Sequence, residues 1–265
     1  MSRIIQRFLA LRSSGERALI PFVTAGDPSL DHTRELVLRL QEMGADLIEL
    51  GVPFSDPLAD GPTIQRASAR SLEAGTTLRA ALDLVEALRG EAEIPLVLMT
   101  YFNPIFAFGE REFVEEALRV GVDGVIVPDL PAEEAGALLD LTRNAHLDLV
   151  WMLAPTSTDR RRDLICQKAK GFIYYVAHLG VTGARDHIDE DLRGGLAAIR
   201  ARTSVPVAAG FGIKTPEQAR NVSRHADGVI VGSALIDVMD AAKDAEGKLR
   251  AAGEFVQSLK QAMKD

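Results

Sequence analysis

The sequence carries one cysteine, Cys166, so no disulfide can form within the chain. A reducing compartment such as the cytoplasm fits that composition. Cys166 sits in Asp163-Leu164-Ile165-Cys166-Gln167, a helical pattern, and reads as a packed thiol before it reads as a nucleophile. No run of about 18 apolar residues occurs, so no membrane span is expected. The opening segment, Met1 to Arg12, is amphipathic, with neither a continuous apolar stretch nor a cleavage site, and does not read as a signal peptide. Basic runs are equally scarce. Arg160-Arg161-Arg162 is the one cluster, and it follows Thr158-Asp159, a helix start, which makes it a solvated first turn. With a net charge of −8, the chain is a poor match for nucleic acid or an anionic membrane. The histidines show no two-His spacing for a metal, so none is expected. No linker or low-complexity stretch divides the 265 residues, and one domain, 1–265, is expected.

The chain does contain a repeated alternation. Short aliphatic runs occupy Ala18–Val23, Leu47–Gly51, Pro95–Met99, Gly124–Val127, Asp148–Leu153, Gly171–Val176, Pro206–Ala209 and Gly228–Val231. They are apolar throughout, as strands covered on both faces should be. Amphipathic segments lie between them: His32–Met43, Thr63–Leu72, Leu78–Leu88, Glu110–Val120, Ala132–Asn144, Thr158–Lys168, Asp191–Arg202 and Pro216–Val222, with a last one over about Ala245–Met263. Several joins share one form, as in Gly44-Ala45-Asp46, Gly121-Val122-Asp123 and Ala226-Asp227-Gly228. Repeated βα units imply parallel strands with right-handed crossovers. Eight of them in this length predict a (β/α)8 TIM barrel. The open doubly wound sheet usually shows Gly-x-Gly-x-x-Gly after its first strand, and that motif is absent. An extra N-terminal helix, with Ile4, Ile5, Phe8 and Leu9 on its apolar face, is expected to cap the barrel bottom.

Two features point to chemistry. The last two strands end in Ala209-Gly210-Phe211-Gly212-Ile213 and Val231-Gly232-Ser233-Ala234, and Gly232-Ser233 opens a short helix. Glycine lets backbone approach an anion closely, and free N–H groups at a helix start attract phosphate. Glycines that merely turn the chain are the plainer alternative. The second feature is Glu49, a carboxylate inside the apolar run of strand 2 and on the same face as Leu47. A carboxyl against apolar walls has a raised pKa, which suits a general acid–base near neutrality. A buried structural ion pair is the alternative, but strand 2 offers no nearby Arg or Lys. The following loop, Val52 to Thr63, holds Asp56 at its outer bend and Asp60 where it returns to the mouth. Neither Lys170 nor Lys214 is placed for a Schiff base. Acid–base chemistry on a small phosphorylated substrate follows.

The stretch Leu47-Ile48-Glu49-Leu50-Gly51-Val52-Pro53-Phe54-Ser55-Asp56-Pro57, with Ala59-Asp60-Gly61-Pro62-Thr63-Ile64-Gln65, resembles the signature of the tryptophan synthase α subunit family. The resemblance runs from about Leu19 to Ser233. It includes Pro21 to Pro28, Met99 to Pro104, Val127 to Pro131, Gly180-Val181-Thr182-Gly183 and Gly210 to Ile213. It implies a carbon–carbon lyase that cleaves indole-3-glycerol phosphate to indole and glyceraldehyde 3-phosphate. By position, Glu49 resembles the family's general acid–base and Asp60 the residue that holds the indole N–H. Phe22 and Tyr174 resemble indole-pocket residues. Gly183, Gly212, Gly232 and Ser233 match the phosphate-binding positions. Leu179 to Gly194 resembles a mobile lid, with Thr182 reaching toward Asp60. Ahead of it, Ala177-His178-Leu179 departs from the family's serine-containing pattern.

The resemblance also implies partners. The apolar segment Tyr101 to Gly109, including Phe106, reads as an interface, with folding back onto the barrel as the alternative. Together with Asp56 and Pro53 it would face a β subunit in an α2β2 heterotetramer. Pyridoxal phosphate is expected in that β partner, and no cofactor in this chain. Two other readings remain: a different phosphosugar barrel enzyme, and a weakly active or non-catalytic module that mainly activates a β partner.

Overall fold

The apolar runs form strands because both of their faces are covered. In the computed structural model, which describes residues 2–176, 185–210 and 212–264, the strands are β1 (Ala18–Thr24), β2 (Ile48–Gly51), β3 (Leu96–Met99), β4 (Gly124–Ile126), β5 (Asp148–Leu153), β6 (Ile173–Val176), β7 (Val207–Gly210) and β8 (Gly228–Val231). All neighbours pair in parallel, and β1 pairs with both β2 and β8, which closes the barrel. This is the expected (β/α)8 TIM barrel.

Twelve helices occur among the described residues. The extra N-terminal helix is α1 (Arg3–Ser13). Its Ile4, Phe8 and Leu11 are buried in one cluster with Ile20, Leu47, Val97, Ile126, Val150 and Phe172, so α1 plugs the barrel floor as expected. Around the wall run α2 (Leu30–Glu42), α3 (Pro62–Glu73), α4 (Leu78–Arg89), α5 (Phe102–Phe108), α6 (Glu110–Val120), α7 (Gly136–Ala145), α8 (Asp159–Lys168), α9 (Arg185–Arg200), α10 (Pro216–Ser223), α11 (Ser233–Asp240) and α12 (Ala245–Ala262).

The recurring Asp at helix-to-strand joins has a purpose on the floor. Asp46 accepts from the Leu19 N–H (2.7 Å), from Arg7 (2.5 Å) and from Lys260 Nζ (2.9 Å). Asp123 accepts from the Leu96 N–H (2.9 Å), Arg3 (2.9 Å) and Arg89 (2.6 Å). Asp227 accepts from the Val207 N–H (2.9 Å). Each carboxylate thus ties the start of its own strand to the start of the preceding one and satisfies a backbone donor that would otherwise lie unpaired.

Three expectations need correction. Phe102 to Phe108 is a helix, within the apolar segment to which no helix was assigned. Its N-terminal N–H on Phe102 bonds to Asp129 (2.9 Å), Ile105 is fully buried, and Phe102 and Phe108 pack on the core, so the segment folds back onto the barrel. Phe106 alone among its large side chains is well exposed, at 66%. The second correction concerns α9, which begins at Arg185, six residues before the expected Asp191, so that 185–194 of the Leu179 to Gly194 stretch is helical and 179–184 lies outside the described residues. The Gly194-Gly195 pair hides that periodicity. A Cβ at Gly195 would lie 2.0 Å from the Tyr175 hydroxyl, so the second glycine is there for close packing and not to break the helix. The third is smaller: α7 starts at Gly136, four residues later than the spacing suggested.

Candidate active site

Alternation along β2 sends Ile48 and Leu50 to the helix-facing cluster, while Leu47 joins the floor cluster inside the barrel. Glu49 therefore points inward, near the C-terminal end, where such barrels keep their chemistry. It is 2% exposed, and its Oε2 has no hydrogen-bond partner among the described residues. No ion pair to Glu49 occurs among them either, which argues against the structural-salt-bridge alternative. Burial pushes its carboxyl up to about 8, and the nearby charge of Asp60 adds to the shift.

Asp60 comes from the loop between β2 and α3 and is half-buried. Burial raises its carboxyl to about 6, opposed by a hydrogen bond from the Tyr101 hydroxyl. The same hydroxyl accepts from the Ala59 N–H (2.9 Å), and the Tyr101 ring stacks on Phe54 with centroids 5.1 Å apart. Gln65 Nε2 donates to the Asp60 carbonyl (2.9 Å). The loop is thus fastened on both sides of the carboxylate, from the end of β3 and from the first turn of α3.

Glu49 and Asp60 line one cavity of about 340 Å3. Phe22 sits beside Glu49 in strand register, and its ring lies across Gly51, where an added Cβ would come within 2.4 Å of the ring. Only glycine leaves room for the aromatic there. Ile64, Met99, Met152 and Ile230 complete an apolar wall, and Tyr174 closes the far side. Burial and the charges of Glu49 and Asp60 hold the Tyr174 phenol well above its ordinary range, so it stays neutral.

At the rim the cavity is lined by Gly212, Lys214, Gly232 and Ser233. Gly232 is the N-cap of α11, which has no side-chain cap and no acid in its first turn. Its leading N–H groups are therefore open to an anion. Asp237, one turn along, accepts from Thr63 Oγ1 (3.1 Å) and lies 3.8 Å from Arg66.

The structure thus brings together Glu49, Asp60, Phe22, Tyr174, Gly212, Gly232 and Ser233. Thr182 and Gly183 lie outside the described residues, as does Ala177-His178-Leu179. Away from the cavity, Asp56 is exposed and bonded to Ser55 Oγ (2.6 Å), whereas Pro53 is buried within this chain. Sequence reasoning missed Tyr101 and the Met99 and Met152 walls, and it set Lys214 aside. The position of Tyr101 just past the end of β3 was the available signal, because strand ends at this face carry function. Among the described residues no cluster of three metal-ligating side chains occurs.

Known proteins resemble this chain over nearly its whole length. The family model described as "Tryptophan synthase alpha chain" matches residues 8–264. The tryptophan synthase alpha chain of Citrifermentans bemidjiense is 52% identical over 263 residues, 99% of this chain and 98% of that protein. That of Gloeobacter violaceus is 50% identical over 98% of this chain and 94% of its own length. Among solved structures, tryptophan synthase subunit alpha from Legionella pneumophila superposes with a TM-score of 0.91 at 37% identity, covering 100% of this chain and 99% of its own. A chain of tryptophan synthase from M. tuberculosis, in an aminoacrylate-bound form, superposes with a TM-score of 0.88 at 32% identity, covering 99% and 100%. A buried inward carboxylate facing a second one, beside an uncapped helix start, is accordingly the arrangement of a chain that belongs to the tryptophan synthase alpha chain family.

Proposed function

We propose that Glu49 and Asp60 carry out the family's reaction in this chain, the retro-aldol cleavage of indole-3-glycerol phosphate to indole and glyceraldehyde 3-phosphate. The reaction is the α reaction of tryptophan biosynthesis, and the chain is a carbon–carbon lyase. One observation carries the assignment of roles: two carboxylates of different pKa face a single cavity, so near neutrality one is protonated and the other charged. Environments that push two such values apart divide acid from base.

Protonated Glu49 donates to C3 of the indole. Positive charge then develops on the ring nitrogen, where the Asp60 carboxylate stabilises it and accepts from the N–H. Glu49, now a carboxylate, takes the proton of the hydroxyl on the carbon next to the ring. The C–C bond breaks, its electrons restore the aromatic ring, and Glu49 is protonated again. The indole ring is the electron sink, so the step uses neither a lysine imine nor a metal. Phe22, Tyr174 and the methionines hold the ring by apolar contact. The backbone at Gly212, Gly232 and Ser233 receives the phosphate, and Thr182 and Gly183 take the roles that the family resemblance implies.

As an alpha chain, the protein has a tryptophan synthase β subunit as its partner. The α2β2 stoichiometry, pyridoxal phosphate in the β subunit and a cytoplasmic setting belong to the proposal. Support for the contact surface comes from exposed Asp56, from Leu58 at 92% exposure and from Phe106, all on the mouth side or next to it. No helix among the described residues is long and apolar enough to cross a membrane.

The test is indole release from indole-3-glycerol phosphate by the purified chain, with and without a β subunit. Indole that appears faster with the partner supports chemistry and coupling together. No indole in either case sinks the substrate assignment.

A further inference from the structure

We propose that Lys214 is a specificity residue that selects the phosphate-bearing substrate by charge at the mouth; this rests on the phosphate reading of the rim given above. Besides the Tyr174 phenol, four ionisable side chains line the cavity among the described residues: Glu49, Asp60, Lys214 and Asp237. Asp237 is balanced by Arg66 and bonded to Thr63. Lys214 is the only cation of the four, and its ammonium makes no ion pair among the described residues. A dianionic group entering a cavity with carboxylates in its depth meets repulsion there, and a cation at the rim offsets it and orients the anion outward.

The backbone under Lys214 is fixed, which separates it from an ordinary surface lysine. Its N–H donates to Gln218 Oε1 (2.7 Å), and the N–H of Thr215 donates to the same atom (3.2 Å). Thr215 in turn caps α10 in a reciprocal capping box with Gln218. The lysine stem therefore leaves from an anchored point beside Gly212, across the rim from the uncapped start of α11. The two supply different things. Backbone N–H groups give directed hydrogen bonds to phosphate oxygens, while the ammonium is a flexible point charge that follows the anion. The independent sign that this cavity takes a ligand is the unpartnered Glu49 Oε2 at its depth.

The experiment compares the full-length chain with Lys214→Met, Lys214→Glu and Lys214→Arg. For indole-3-glycerol phosphate, Lys214→Met raises KM roughly two- to fivefold with kcat changed less than twofold, the size expected for an exposed charge contact. Lys214→Glu raises KM further, and Lys214→Arg returns it to near the wild-type value. The salt dependence of KM flattens in Lys214→Met, because the screened interaction is gone. Calorimetric binding of inorganic phosphate weakens in parallel, whereas binding of indole, which has no charge, is unchanged. Unchanged KM, salt slope and phosphate affinity in Lys214→Met overturn the proposal, as does failure of the wild-type chain to bind inorganic phosphate. A wild-type chain that binds phosphate but releases no indole overturns the substrate reading instead, and the phosphate affinities of the variants then still decide the role of Lys214.

Discussion

The charge of Asp60 is one of the two forces that keep Glu49 protonated, so the two carboxylates facing the cavity are not independent groups. Burial raises both carboxyls, and a change at Asp60 is read at Glu49 as well.

Cleavage therefore depends on pH in a bell. Asp60 must be ionised, which requires a pH above about 6, and Glu49 must hold its proton, which requires a pH below about 8. The rate profile of kcat/KM for indole release falls on both sides of that window. A flat profile from pH 5 to 9 contradicts the division of roles.

Replacing Glu49 by Gln abolishes turnover and leaves fold and phosphate binding intact. It also changes stability in a pH-dependent way. The folded chain holds the Glu49 proton up to about 8, against an ordinary 4.5. That proton's contribution is fully present below 4.5 and is lost as pH rises to 8, at about 1.4 kcal/mol per unit. Gln cannot ionise, so the variant gains stability relative to wild type between pH 5 and 8. Denaturant melts at the two pH values measure the difference; a constant offset argues against a buried, neutral Glu49.

Tyr101→Phe removes the hydroxyl that bonds Asp60 and accepts from the Ala59 N–H. That bond holds the Asp60 pKa down, so its loss moves the acid limb of the rate profile upward. We expect kcat to drop by about three- to tenfold, the effect of about one lost hydrogen bond. A purely structural tyrosine would lower stability and leave the acid limb in place.

Gly51→Ala drives a methyl into the Phe22 ring. The ring must leave the cavity wall, at a cost of about 1–3 kcal/mol of stability, with indole affinity falling as well. Adding Phe22→Leu to Gly51→Ala recovers stability without recovering indole affinity, as seen by melting and titration.

Asp46→Asn removes the buried charge that pairs Lys260 and Arg7 at the floor, while Lys260 keeps Glu16 and the Arg17 carbonyl and Arg7 reaches solvent. The loss is therefore smaller than the cost of leaving a buried charge unpaired, about 1–3 kcal/mol. The mouth lies at the other end of the barrel, so kcat of the folded fraction stays near wild type. A large loss of kcat at full folding would show that floor and mouth are coupled.

Where structure was legible in the sequence, a local pattern carried it. Eight apolar runs marked eight strands to within a few residues, because a strand covered on both faces has no reason to alternate. Glu49 stood out for the same reason, as a charge in such a run. The α5 helix did not stand out. Seven residues with Pro104 inside are too few to show a 3.6 period, and its start is secured by Asp129, 27 residues away. Met99, Met152 and Lys214 reach the cavity from three separate strand ends, with Tyr101 bonded to Asp60 beside it, and no local spacing records a meeting made by barrel closure. The α9 start was hidden by the Gly194-Gly195 pair, of which Gly195 alone has a packing reason, the distant Tyr175.

The floor aspartates divide the barrel into quarters. Asp46 joins β1 to β2, Asp123 joins β3 to β4, and Asp227 joins β7 to β8. In the remaining quarter, the Asp148 carboxylate at the start of β5 takes its hydrogen bond from Ser2, at the head of α1. The quarter that contributes Met152 and Tyr174 to the cavity is therefore latched by the first residues of the chain. Trimming those residues would loosen the far wall of the indole pocket before any other part, and amide exchange in β5 and β6 would report it first.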